Sequence, residues 1–147
     1  MATLTYNQLI QVFEDIATSH AQIQRSGNGV IEDVNTFAPD SGRFPILWVA
    51  PQQAELGNNS LIYKMRVLVF DIEKTDDSIR NEILSDCLLI LNDVIQFLKN
   101  DDDRYSVVNS PIAIPFNQRF VDYCSGWYCD VDIEAEINNT TCQIPIR

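Results

Sequence analysis

From Tyr128 to Ile137 the chain alternates without a break. Cys129, Val131, Ile133, Ala135 and Ile137 fall on one side of an extended strand, and Tyr128, Asp130, Asp132, Glu134 and Glu136 fall on the other. One side suits a core. The other cannot enter one, because four carboxylates at every second position repel each other unless solvent or a partner offsets them. Any fold for this chain must therefore leave one face of the sheet open along this strand.

Two segments have helical rather than strand periodicity. Thr5 and Gln8 have the spacing of a capping box, and Leu9, Val12, Phe13 and Ile16 follow as a single apolar stripe. A helix is expected from about Tyr6 to Ser19, with Ile23 as its furthest reach. Asp76, Asp77 and Ser78 place acidic charge where a second helix would begin. Ile79, Ile83, Cys87, Ile90, Val94 and Phe97 form its stripe, with Leu84, Leu88, Leu91, Ile95 and Leu98 alongside. This helix, from about Ser78 to Lys99, has a wider apolar arc than one sheet face needs, which points to a second partner surface.

Leu61 to Glu73 is the longest strand candidate. Tyr63, Met65, Val67 and Val69 face one way, and Ile62, Lys64, Arg66, Leu68, Phe70 and Ile72 the other. The second set is polar at its start and apolar at its end, so that face is expected to be wet at one end and covered at the other. Phe44 to Ala50 reads as a buried strand closed by Pro51, and Gln52 to Ser60 as a turn with Gly57 and Asn58 at its tip. Residues from about 26 to 43 are rich in helix breakers and read as a long loop, in which Val30, Ile31, Val34 and Phe37 suit either a short strand or anchors. Tyr105–Val108, Ile112–Pro115 and Gln118–Cys124 are short strand candidates, with Pro111 and Pro115 confining the middle one to an edge. The order predicts a single α+β domain over residues 1–137, with two helices packed on one mainly antiparallel sheet. A polar tail, 138–147, follows, whose Ile144, Pro145 and Ile146 are candidates for docking on a neighbouring subunit.

Composition narrows the function. With 21 acidic and 10 basic residues the formal net charge is -11, and the basic residues are scattered singly. Wrapping nucleic acid requires clustered Lys and Arg, so that role is disfavoured. The most apolar run, Cys87 to Leu91, is far too short to span a membrane. No signal peptide is visible, so a soluble, cytosolic protein is expected. Cys87, Cys124, Cys129 and Cys142 lack zinc-knuckle spacing and read as buried thiols; a Cys124–Cys129 disulfide across a hairpin is the alternative, disfavoured in a reducing compartment.

No combination of nucleophile, base and orienting group stands out, and no cofactor is expected. Ser26-Gly27-Asn28-Gly29 lacks the lysine of a phosphate loop and reads as a turn. The carboxylates of the last strand splay about 6.8 Å apart along one face, whereas calcium requires a curled loop of converging oxygens. His20 reads as a cap or packing residue at a helix end. Trp48, Tyr123, Trp127 and Tyr128 lie among apolar residues and suit core or interface anchors better than base-stacking platforms.

In this order of elements, the chain resembles the small tail-completion, tail-terminator and neck proteins of tailed bacteriophages. The likeness runs through the helix starting at Thr5, the Phe44-Pro45-Ile46-Leu47-Trp48 strand, the hairpin through Ile62 to Ile72, the helix Ile79 to Leu98 and the strand Trp127 to Ile137. Arg43 to Pro51 and Tyr123 to Ile137 also look like virion proteins of long phage genomes, including those of gut Bacteroidetes phages. The resemblance implies a structural virion protein without enzymatic activity, assembled in the host cytoplasm. It implies a homo-oligomeric ring, sixfold at a tail end or twelvefold at the portal side, that joins portal, neck or tail-tube proteins. DNA would pass through the ring without sequence-specific binding. Asp130, Asp132, Glu134 and Glu136 are then candidates to face the channel, and Phe37, Trp48, Gly57, Asn58, Ile144 and Ile146 candidates for the interface. The competing reading is a small acidic cytosolic adaptor or inhibitor that binds a basic protein.

Overall fold

The computed structural model describes residues 4–30, 33, 44–72, 80–100, 103–119, 124–137 and 145. Helix α1 (Tyr6–Ser19) is followed by strands β1 (Arg25–Asn28), β2 (Ile46–Leu56) and β3 (Ser60–Ile72). Helix α2 (Arg80–Asn100) precedes β4 (Tyr105–Val107), β5 (Ile114–Arg119) and β6 (Cys124–Glu136). The six strands form one sheet in the order β1-β2-β3-β6-β4, with β5 also paired to β6. Among the described strands only the β1–β2 pair is parallel. The fold is α+β, with two helices on a mainly antiparallel sheet.

Local chemistry accounts for the first helix. Thr5 Oγ1 accepts the Gln8 N–H at 3.2 Å, and Gln8 Oε1 accepts the Thr5 N–H at 2.9 Å, completing the capping box. Leu9, Phe13, Ile16 and Ala17 are buried. The helix stops at Ser19, so Ile23 lies beyond it but is still buried.

β3 and β6 are the spine of the sheet, paired without interruption from Ser60–Glu136 to Ile72–Cys124. Both helices cover the face that carries Tyr63, Met65, Val67 and Val69 of β3 and Cys129, Val131, Ile133 and Ala135 of β6. Tyr63 Oη donates to the Leu4 carbonyl at 2.9 Å, tying the chain before α1 to β3. On the other face, Ile46, Trp48, Ala50, Leu68, Phe70, Phe116 and Cys124 form a second apolar cluster. Gly126 lies opposite Phe70 on this spine, and a Cβ there would sit 2.7 Å from the Phe70 Cα and overlap the Val69 carbonyl oxygen.

The structure revises several expectations. The segment expected to be a loop from residue 26 contains β1, an edge strand whose Gly27 pairs with Trp48. β2 does not close at Pro51 but runs on to Leu56, with Pro51 at a bulge, where a strand tolerates a residue without an N–H. Ile112–Pro115 and Gln118–Cys124 are not separate strands; β5 takes the end of one and the start of the other, and Cys124 begins β6. Most of the wide apolar arc on α2 is satisfied within the chain, since Leu91, Ile95 and Leu98 are buried together with the sheet and α1. Asp76, Asp77, Ser78 and Ile79 lie outside the described residues, as does most of the segment 31–43.

Cys87, Cys124 and Cys129 are buried thiols outside any disulfide. Cys129 is in the helix-side core and Cys124 in the opposite cluster, so these two cannot bridge. Burial pushes the Cys87 thiol from an ordinary value of 9.0 up to about 12, with Asp71, Asp86 and Cys124 adding to the effect. Burial, then Asp130, does the same to Cys129. A thiol is neutral when protonated, so above about pH 9 the unfolded chain ionises while the folded one resists. Stability is therefore expected to hold below pH 9 and to fall between 9 and 12. In a Cys142→Ser background, Ellman's reagent at pH 8 should leave the native protein unlabelled and titrate three thiols in denaturant. Prompt native labelling would contradict this burial.

Candidate functional site

The open face of the sheet is divided in two. Its lower rows, through Phe70 and Leu68, are buried in the second apolar cluster. Its upper rows carry Arg66, Lys64 and Ile62 of β3, all half-buried, beside the alternating acids of β6. Asp130 and Glu136 are exposed, and Asp132 and Glu134 half-buried. All four project away from the helices, as the alternation required.

The acids are not equivalent. Arg66 grips Asp130 with both arms of its fork, Nε to Oδ1 at 2.8 Å and Nη2 to Oδ2 at 3.2 Å, and its guanidinium lies 4.6 Å from the centre of the Tyr128 ring. That hydrogen bond raises the Arg66 pKa further, against the opposing effect of partial burial. Lys64 stands opposite Asp132. Glu134 instead faces Ile62 and Ser106, and Glu136 faces Ser60. Glu55 of β2 faces Ile62 from the other side. Cationic pairing thus accompanies the middle of the face, while Glu55, Glu134 and Glu136 form an acidic end with no cation opposite in the register.

Sequence reading missed Asn109, which holds β6 in the gap between β4 and β5. Its Oδ1 accepts the Asp132 N–H at 2.9 Å, and its Nδ2 donates to the Asp130 carbonyl at 3.0 Å. One side chain does the work of a missing strand residue. A lone asparagine in a loop carries no signal for this, because the partner atoms are on backbone more than 20 residues away.

The outer arm and tip of the β2–β3 hairpin are uncovered. Residues 51–59 are all exposed, and Leu56 is 81% exposed. Gly57 and Asn58 stand at the tip, where the sequence placed them, and the Gly57 N–H bonds the Ser60 carbonyl at 3.0 Å. Trp48 is not at a surface: it is 3% exposed within the second cluster, and its Nε1 donates to the Gly29 carbonyl at 3.1 Å. Its expected interface role is therefore corrected to a core role; the indole is large enough to need burial and has found a partner for its only polar atom. Phe37, Ile144 and Ile146 lie outside the described residues.

His20 caps α1 and sits beside a groove of about 490 Å³ between the end of α1 and the second half of α2. Its Nδ1 accepts the Gln22 N–H at 3.1 Å, so Nε2 carries the proton and donates to Asp93 Oδ2 at 2.9 Å. Both ring nitrogens are engaged, leaving none to accept a substrate proton. The ring instead clips the two helices together. His20→Phe, which keeps a ring but breaks both bonds, is expected to cost about 1–2 kcal/mol in urea denaturation. A neutral result would mean that water replaces the clip at no cost.

Among the described residues no group of three or more His, Cys, Asp or Glu is placed to hold a metal ion. Nor is any described helix long and apolar enough to cross a membrane. A scan against protein-family models finds no match to the chain, and a search of curated proteins finds none either.

Proposed function

We propose that this chain is a structural virion protein forming a ring at the neck or tail end of a tailed phage, joining head or portal to tail around the DNA channel. One observation carries this reading. A single sheet presents an open, acidic half-face, and beside it stands a hairpin arm and tip exposed over all of residues 51–59. Carboxylates repeated around a bore would repel the phosphate backbone and let DNA slide without adhesion. The hairpin is the kind of projecting element by which ring subunits grip neighbours.

Negative-stain electron microscopy and mass photometry of the purified protein test this directly. Closed rings with an open centre, of six or twelve copies, are expected. A strict monomer at every concentration up to the millimolar range would overturn the proposal. It would favour a second reading that draws on the same acidic end of the sheet: a small acidic adaptor or inhibitor that binds a basic protein.

A further inference from the structure

We infer that copies of this chain join edge to edge, the outer arm of β2 in one pairing antiparallel with β4 of the next, so that one sheet continues from subunit to subunit. The inference rests on the ring reading above and names the contact that would close the ring. β1 covers β2 only from Ile46 to Val49, and β5 covers β6 only from Tyr128 down to Cys124. Above those rows the sheet runs β2-β3-β6-β4, and among the described residues no strand pairs with the outer side of β2 or of β4. The two edges stand at the same height. Traced through β3 and β6, Ala54 shares a row with Val107, Glu55 with Ser106 and Leu56 with Tyr105. The Gly57 N–H bonds the Ser60 carbonyl, so by alternation Ala54 and Leu56 turn their N–H and C=O away from β3. The Val108 N–H bonds the Asp132 carbonyl, so Val107 likewise turns outward from β6.

Strand direction specifies the occupant. Three antiparallel pairings in succession leave β2 and β4 running in opposite directions. Copies set side by side in the same orientation therefore bring β4 of one against β2 of the next as an antiparallel pair. The side chains agree on both faces. On the helix face Leu56, 81% exposed, comes beside Tyr105, and Ala54 beside Val107, apolar against apolar. On the open face Glu55 comes beside Ser106, whose hydroxyl can donate to the carboxylate; both are exposed in the single chain. A net charge of -11 makes two copies repel at long range, but Glu55 is the one charge in Pro51 to Leu56 and β4 has none. A twofold pairing of β2 with β2 that matched Ala54 to Leu56 would instead set Glu55 against Glu55. Opposite edges of one sheet cannot meet within a copy. Their contact is heterologous, such contacts propagate until they close into a ring, and every acidic face then turns to the same side of it.

Oxidative cross-linking reads this pairing directly. In a Cys142→Ser background, Glu55→Cys combined with Ser106→Cys should give a ladder of covalent multimers on a non-reducing denaturing gel. Such a cross-strand pair lies about 4.5 Å apart at Cα, within the roughly 4.4–6.8 Å that a disulfide spans. Each cysteine variant alone should run as a monomer on the same gel. Ala54→Pro removes an N–H that does not bond β3, so its melting temperature should match wild type at concentrations where both are monomeric. Its self-association in sedimentation velocity should nonetheless weaken about tenfold or more, because the outer edge has lost a donor and gained a bulky ring. Wild-type rings without a ladder from the double variant, and with Ala54→Pro unaffected, would overturn this contact and leave the ring reading standing. Covalent dimers from Glu55→Cys alone would overturn it in favour of β2 pairing with β2 about a twofold axis. A wild-type monomer at all concentrations would remove both the contact and the ring.

Discussion

Gly126→Ala is expected to cost at least about 4 kcal/mol, a large part of the roughly 5–15 kcal/mol that holds a domain of this size together. Gly126 is the third residue of β6 in the longest strand pair, opposite Phe70 and with β5 paired on its other side. A methyl group there would fall 2.7 Å from the Phe70 Cα and 2.9 Å from its Cβ, and would overlap the Val69 carbonyl oxygen. These are mostly backbone atoms of a strand paired on both sides and cannot swing aside as a long side chain could. Relief requires β3 and β6 to part, which sacrifices ladder hydrogen bonds. Phe70 is fully buried, its ring 6.4 Å from Phe44 and 6.3 Å from Phe116, so any shift spreads through the second cluster. Urea denaturation of Gly126→Ala should show a much lower midpoint, and Gly126→Val should lack native circular dichroism. Leu56→Ala, at an exposed tip, serves as a control and should differ from wild type by under about 0.5 kcal/mol. A Gly126→Ala protein within about 1 kcal/mol of wild type would mean that the two strands do not approach this closely.

The second large effect concerns the acidic face. Reversing all four acids of β6 would confuse two roles, because Asp130 is held by Arg66 and Asp132 stands opposite Lys64. Lysine at 130 would meet Arg66 across the strands, and lysine at 132 would meet Lys64, destabilising the sheet by like-charge repulsion. Glu134→Lys with Glu136→Lys avoids this, since their β3 neighbours are Ile62 and Ser60. This double variant should fold and assemble as wild type. On the ring reading, each subunit would then offer two cations to passing phosphates, and a ring multiplies them many times. Phage carrying the double variant should assemble normally yet eject DNA at least about tenfold more slowly at low salt, with the defect easing as salt rises. Ejection at the wild-type rate would rule out these carboxylates as a channel lining.

Where side-chain period alone decides the answer, the sequence was readable. The alternation of β6 fixed which residues are buried, and Cys129, Val131, Ile133 and Ala135 are buried as read. The change of character along the second face of β3 correctly announced a face wet at Ile62 to Arg66 and covered at Leu68 and Phe70. Capping chemistry set the start of α1. Period says nothing about which strand lies beside which. The parallel pairing of β1 with β2, the continuation of β2 past Pro51 and the shared edge of β6 all depend on backbone partners distant in sequence.

The same division applies to the acidic strand with which the sequence begins to make sense. Alternation by itself determined that four carboxylates share one face and that this face is not core, because a strand's pleat admits no other placement. Only the tertiary structure separated Asp130 and Asp132, set against Arg66 and Lys64, from Glu134 and Glu136, which are not. Register made that distinction. It is a property of two strands some 64 residues apart, as in the Arg66–Asp130 pair, and no single segment contains it.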